Sequence, residues 1–274
     1  VSRRREGETM RAAAVVGARN EEIYIRSCLR GLIGEGLGVV LIDHGSEDAT
    51  VRIAREFLGR GLLDIVPMPW RGTFSMQALL RLKEEVIAGL DHDWVLHIDA
   101  DEWPMTPDAG ESLLDFIAAA DRDGYNCVNF DEFCFLPLAG DCYREDHKDR
   151  MRDYYFFEPQ WPRLMRGWKR GTGLSPVASG GHVLRGGDVR RCPESLVLRH
   201  YLVLSDDHAV RKYVGRRFAQ DELDRGHHHS RTMITATNCR VRGSEAMRRL
   251  PEPSARTFDR SAPVARHYWE WPLA

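Results

Sequence analysis

Four short apolar runs, Ala12 to Ala18, Val39 to Ile42, Leu63 to Pro67 and Trp94 to Ile98, alternate with three stretches of helical periodicity across short links. In the first of those stretches Ile25, Cys28, Leu29 and Leu32 fall at i, i+3, i+4 and i+7, the spacing of one helix face. Gly36 and Gly38 end it, and further helices are expected from about Glu47 to Leu58 and from Ser75 to Leu90. A helix between two strands returns the chain to its starting end, so the alternation predicts an α/β fold: a parallel sheet with helices on both faces. Ligands of such sheets bind outside the carboxyl ends of the strands. Three polar turns lie there: Arg19-Asn20-Glu21-Glu22, Asp43 to Asp48, and Asp99-Ala100-Asp101.

The third turn carries the sharpest chemistry, because the buried run Trp94-Val95-Leu96-His97-Ile98 ends directly in Asp99, Asp101 and Glu102. Side chains alternate along a strand, so Asp99 and Asp101 are expected on the same side. Clustered carboxylates repel one another unless a cation compensates them. The pair predicts a site for Mg²⁺ or Mn²⁺, whose other positions go to water and a substrate's phosphates.

Composition narrows the partners. A chain of 274 residues is long enough for one large domain or a domain with an appendage. With a net charge of −2 and 43% hydrophobic residues, it has no basic excess to attract nucleic acid. Lysine occurs only at Lys83, Lys148, Lys169 and Lys212, so phosphate contacts are expected mainly from arginine forks. No apolar run approaches the roughly 18 residues of a membrane span. Val1 to Arg11 is charged and reads as a frayed extension without a signal peptide. Six cysteines without CxxC spacing predict reduced thiols, no zinc site and a cytoplasmic location.

Beyond Glu102 the pattern is less regular. Ser112 to Ala120 is expected to be helical, and Tyr125 to Leu138 to form one or two strands, the second at Glu132 to Leu136. A polar loop from Gly140 to Asp153, weak strands at Pro162 to Met165, His182 to Leu184 and Leu196 to Tyr201, and a Ser205-capped helix follow. Val210, Val214 and Phe218 would form the buried stripe of that helix, leaving Lys212 and Arg216 on another face. His227-His228-His229 reads as a polar loop, and the tail from Arg248 as a surface wrap. The expected organisation is a first half at 12–135 that carries the three polar turns, a second half of the same domain at 136–247, and a tail at 248–274.

Arg19-Asn20-Glu21-Glu22, Asp43-x-Gly45-Ser46-x-Asp48-x-Thr50 and Asp99-Ala100-Asp101-Glu102, each at a strand end, together resemble the three nucleotide-sugar signatures of family 2 glycosyltransferases of the GT-A fold. The resemblance covers roughly residues 12 to 135. It implies a GT-A domain whose first turn, with Arg19, Asn20 and Glu22, abuts the nucleoside. Asp43 would then hydrogen-bond the base or ribose. Asp101 would ligate the metal, with Asp99 supporting metal or ribose. The metal shell of such enzymes often includes a histidine from a late strand, which points to His200, with His182 as second choice. One departure is Ser75-Met76-Gln77-Ala78, where many relatives carry an Arg and an Asn; Arg71 is the nearest substitute for a pyrophosphate contact.

These readings converge on a metal-dependent transferase that moves a sugar from a nucleoside diphosphate sugar to a hydroxyl or amine of a small-molecule or glycan acceptor. Family resemblance implies inversion. The acceptor must lose a proton, so a carboxylate on the far side of the sugar is required. Asp131, Glu132, Glu158 and Asp188 have apolar or glycine-rich neighbours, and Glu132 leads because a strand fixes its direction. The alternatives are a nucleotidyltransferase that forms sugar nucleotides, disfavoured by the lack of a glycine-rich first loop, and a non-catalytic binding scaffold.

Overall fold

The computed structural model describes residues 9–226, 228–241 and 244–271. Most of the expected N-terminal extension, His227 of the histidine run and the last three residues of the tail lie outside the described residues. The first half alternates as β1 (Ala12–Ala18), α1 (Glu22–Gly34), β2 (Gly38–Asp43), α2 (Thr50–Arg55), β3 (Leu62–Pro67), α3 (Met76–Gly89) and β4 (Trp94–Asp99). There follow β5 (Glu102–Met105), α4 (Leu113–Arg122), β6 (Cys127–Phe135), α5 (His147–Arg150), β7 (Asp153–Phe157), β8 (Leu164–Lys169) and β9 (Arg191–Tyr201). The described chain then forms α6 (Asp206–Tyr213), α7 (Gln220–Asp224), α8 (His229–Thr232) and β10 (Arg248–Arg249).

All ten strands join one sheet, whose main path runs β10-β7-β6-β8-β4-β1-β2-β3. The strands β4, β1, β2 and β3 are parallel. The other half is mixed: β8 runs antiparallel to both β4 and β6, while β9 lies parallel to β6 on its other edge and antiparallel to β5. The fold is thus α/β, and its sheet passes without a break from residues 12–135 into the later strands.

The sheet is covered on both faces because its central strands are apolar on both. Ala12, Ala14 and Val16 of β1 pack with Leu96 and Ile98 against Tyr24, Ile25, Leu29 and Leu32 of α1. Val15 and Val95 face the other way, toward Leu79 and Ile87 of α3. Each fully buried Leu or Ile contributes about 1.5–3 kcal/mol relative to exposure. Gly17 sets the spacing on that second face, since a Cβ there would stand 3.0 Å from Leu79 Cδ2 and 3.4 Å from the Lys83 side chain.

Several expectations are corrected. Of the one or two strands expected in Tyr125 to Leu138 there is one, β6, but the loop expected up to Asp153 contains α5 and leads into β7. The short strand β5 has no local signal because, among the described residues, it pairs only with the distant β9. Near His182 to Leu184 there is only an isolated bridge between Ser175 and Arg185. Helix α6 stops at Tyr213, so Ala209 and Tyr213 form its buried face while Val214 is 37% exposed. The described tail runs over the surface, as expected, but anchors itself in the core through Leu250, Phe258, Tyr268 and Trp269. Phe258 stacks on Phe133 at 4.2 Å, Tyr268 and Trp269 are buried, and buried Arg199 donates to the carbonyls of Pro253 and Ala255. Phe258 covers one face of β6 and β7, against Phe133, Phe135 and Tyr154, while Trp269 joins Ala209 and Tyr213 of α6 over Tyr155 and Phe157 on the other.

Candidate active site

Strand register brings the acidic ends together. Ala18 of β1 opposes Asp43 of β2, and Gly17 opposes Asp99 of β4, so both carboxylates leave the sheet at nearly one level on either side of β1. The first two turns then lock one another. Asn20, at φ 56°, donates its N–H to Ser46 Oγ and accepts from Glu47 N–H through Oδ1 at 2.8 Å. Glu22 accepts from Ala49 N–H at 3.0 Å, and Asp48 accepts from Glu22 N–H and from Thr50. Arg19 donates to the carbonyls of His44 and Gly45 and lies 4.0 Å over the Trp70 ring. Arg19, Asn20 and Glu22 therefore use these polar atoms to shape the rim. Asp43 accepts from Ser46 N–H at 3.2 Å and is half-buried. Arg71 is exposed on the loop after β3.

The two carboxylates of the expected pair meet different cations. The strand ends at Asp99 and the chain turns through Ala100 and Asp101, so strand alternation does not carry across. Asp99 faces Lys83 Nζ at 3.8 Å and Arg166 at 3.7 Å. Asp101 faces Lys212 Nζ at 2.6 Å and His200 Nε2 at 3.3 Å, both on the same oxygen, Oδ2. Glu102 closes the turn: it accepts from Asp99 N–H at 2.8 Å and pairs with buried Arg166 at 3.0 Å. Burial pushes Glu102 up to about 7 against the pull of Arg166. Burial likewise opposes ionisation of Asp101, but Lys212 and His200 outweigh it and hold that carboxyl well below its usual range.

His200 is placed by β9, where it pairs in register with Cys134 of β6 and Glu102 of β5. Its Nδ1 lies 2.7 Å from Glu132 Oε1, so Glu132, His200 and Asp101 form a chain. Burial disfavours a charged imidazole, yet Asp101 and Glu132 raise His200 well above its usual range. Arg163, 3.5 Å from Glu132, helps hold that carboxyl well below its normal range despite burial. Cys134 joins Glu132 and His200 in a cluster of ligand-type atoms within 4.8 Å of one another. Burial pushes its thiol up to about 12, so it stays protonated there.

The expected bases fare differently. Glu132 is 3% exposed and stands behind His200, where it orients the imidazole and is shielded from an acceptor. Asp188 is at the wrong end of the sheet. Its carbonyl accepts from Asn126, which precedes β6 where Cys127, Trp168 and Val95 align, about one strand length or ~17 Å from Asp99. Its side chain is 86% exposed beside Arg190. Glu158 follows β7 beside the Glu132 level, and burial together with Asp131 raises its carboxyl. His182 lies nearby, its Nδ1 3.1 Å from Ser179 O, and burial lowers it to about 3.

Sequence reasoning did not find Lys83, Arg163 and Arg166. The signal available was a basic residue set inside an apolar strand or on the buried stripe of a helix, which burial tolerates only when it is paired. The N-terminus of α3 is also occupied: fully buried Glu222 accepts from Ser75 Oγ and Gln77 N–H. A carboxylate thus sits where a pyrophosphate contact was in question. A cleft of about 430 Å³ lined by Arg26, Arg30, Phe57 and Arg60 lies between α1 and α2 and contains none of the rim residues.

No curated protein matches the chain. Among solved structures, S. aureus TarS 1–349 in complex with UDP-GlcNAc aligns with a TM-score of 0.33 and 19% identity, covering 48% of this chain and 36% of that one. S. aureus TarS 1–349 alone aligns at 0.41 and 13% identity, covering 82% and 74%. Glucosyl-3-phosphoglycerate synthase from Mycobacterium tuberculosis, in complex with Mn²⁺, UDP and phosphoglyceric acid, aligns at 0.30 and 20%, covering 46% and 43%. The chain thus spans little more than a third of the first of these. The model of the family described as "Glycosyl transferase family 2" matches residues 13–160, from β1 through β7 and over half of the sequence, and the chain belongs to that family.

Proposed function

We propose that the protein transfers a sugar from a nucleoside diphosphate sugar to an acceptor hydroxyl or amine, with inversion, and that a divalent cation bound by Asp101 and His200 is required. The observation that carries this reading is the placing of Asp101 Oδ2 and His200 Nε2, 3.3 Å apart, with Glu132 on Nδ1. Adjacent ligands of an octahedral Mg²⁺ stand about 3.0 Å apart when each bond is about 2.1 Å, so these two atoms fit neighbouring positions. A histidine whose other nitrogen is held by a carboxylate is the usual second support of a metal ligand. Such an ion supplies Lewis-acid stabilisation of the leaving diphosphate.

The protein's own groups do the rest. Asp43 holds the nucleoside beside β1, and Arg216, whose guanidinium lies 4.4 Å over the Phe74 ring, offers positive charge to the diphosphate. Lys83, Arg166 and Glu102 fix the Asp99–Asp101 turn from beneath. With Glu132 committed to His200, Glu158 is the base candidate on the acceptor side.

The test is a thermal-shift panel of nucleoside diphosphates with and without Mn²⁺, followed by transfer and donor-hydrolysis assays with the best nucleotide's sugars. Ligand binding to the native state raises stability by mass action. Mn²⁺-dependent stabilisation without hydrolysis or transfer would favour a binding scaffold instead. Stabilisation by no nucleotide would remove the reading.

A further inference from the structure

Lys212 sits where a metal ion would be expected to meet Asp101. Its Nζ is 2.6 Å from Asp101 Oδ2, the oxygen that also faces His200, and both side chains are only 10% exposed. On its other side Glu21 Oε1 lies 3.9 Å away, and the ammonium stands 4.7 Å over the Tyr24 ring. Lys212 lies in the last turn of α6, on a flexible four-carbon stem. An ammonium and a divalent ion on one carboxylate oxygen would stand within roughly 4–5 Å of each other, with little water to screen them.

We propose that Lys212 is a displaceable counter-ion: it neutralises Asp101 while the metal position is empty, and it moves onto Glu21 when a divalent cation takes Asp101 Oδ2. The inference rests on the metal reading above. It assigns Glu21, the residue inside the first motif with no other role so far, the task of receiving the displaced charge. Without that acceptor, arrival of the ion would leave a buried ammonium unpaired, which is costly. With it, the cation that leaves Asp101 remains at the nucleotide-facing rim, between the ends of β1 and β4.

The experiment measures Mn²⁺ binding alone, by the loss of the free-ion electron paramagnetic resonance signal, on folded full-length variants without nucleotide. Lys212→Met is expected to bind Mn²⁺ at least tenfold more tightly, because the competitor is gone. Glu21→Gln is expected to bind it about tenfold more weakly, and in the double variant the Glu21 substitution should have no further effect. Equal Mn²⁺ affinity in wild type and Lys212→Met, or a Glu21 effect that persists in the double variant, overturns the counter-ion assignment. Should Lys212→Met fail to fold, Glu21→Gln carries the test by itself, and wild-type affinity there overturns the proposal. Asp101→Asn separates the two layers: undiminished Mn²⁺ binding in that variant removes the metal reading and this inference with it. Lost binding in Asp101→Asn with wild-type affinity in Lys212→Met removes this inference alone.

Discussion

Replacing Arg166 by Met keeps the stem and deletes a guanidinium that is nearly fully buried. It donates to Glu102 at 3.0 and 3.3 Å and to the His97 carbonyl at 3.4 Å, and it stands 3.7 Å from Asp99. The Glu102 side chain is 0% exposed, so the substitution strands a carboxylate whose one remaining bond is from Asp99 N–H. Breaking a buried pair this way costs about 3–5 kcal/mol. At roughly 2–4 °C per kcal/mol for a chain of this size, the midpoint should fall by about 6–20 °C at pH 8. The sign of the pH dependence follows from Glu102. Burial already raises it from 4.5 to about 7 with Arg166 present, and removing the cation raises it further. A carboxyl whose folded pKa exceeds its unfolded value contributes stability below the unfolded pKa, and that contribution is lost as pH rises through the folded one. The deficit relative to wild type should therefore be smallest near pH 5 and grow toward pH 8, as urea unfolding at both values would show. Adding Glu102→Gln should recover much of the loss at pH 8. A deficit under 1 kcal/mol at pH 8, or one that shrinks as pH rises, would refute the reasoning.

Glu132→Gln is expected to weaken Mn²⁺ affinity by about 10–100-fold through His200 while leaving the acceptor KM unchanged; a purely kinetic loss of transfer at saturating Mn²⁺ would restore it as the base. Asp43→Ala should weaken binding of the free nucleoside diphosphate in chelator by about 1.5–3 kcal/mol, measured by calorimetry, and an unaltered affinity would count against a nucleoside contact. Asp188→Asn, at the opposite end of the sheet, should transfer sugar at the wild-type rate. Glu158→Gln should lose about 10²-fold or more of transfer at saturating donor with donor binding retained, and wild-type turnover would exclude it.

The first half of the fold was legible because its information is local. Apolar runs and 3.6-residue periodicity lie within single elements, so β1 to β4 and α1 to α3 follow from neighbouring residues, although α2 is shorter than expected. The three polar turns could be placed on one rim because a parallel sheet puts every strand's carboxyl end there. The mixed half was less legible. Strand β5 and the tail depend on partners far along the chain, and β6 owes its two edges to β8, β7 and β9.

The sequence by itself determined which residues stand at the ends of β1, β2 and β4, since strand and helix periodicity settle where each element stops. It could not determine what those residues face. Asp101 meets Lys212 from 111 residues away, and Glu132 meets His200 across 68. Only the register that pairs Cys134 with His200 and Glu102 with His200 brings them together. One step of that register would turn every side chain to the opposite face. The tertiary structure therefore decided that Asp99 and Asp101 have different cationic partners, that Glu132 lies behind a histidine, and that Asp188 belongs to the far rim. Those are matters of long-range pairing, which no local pattern encodes.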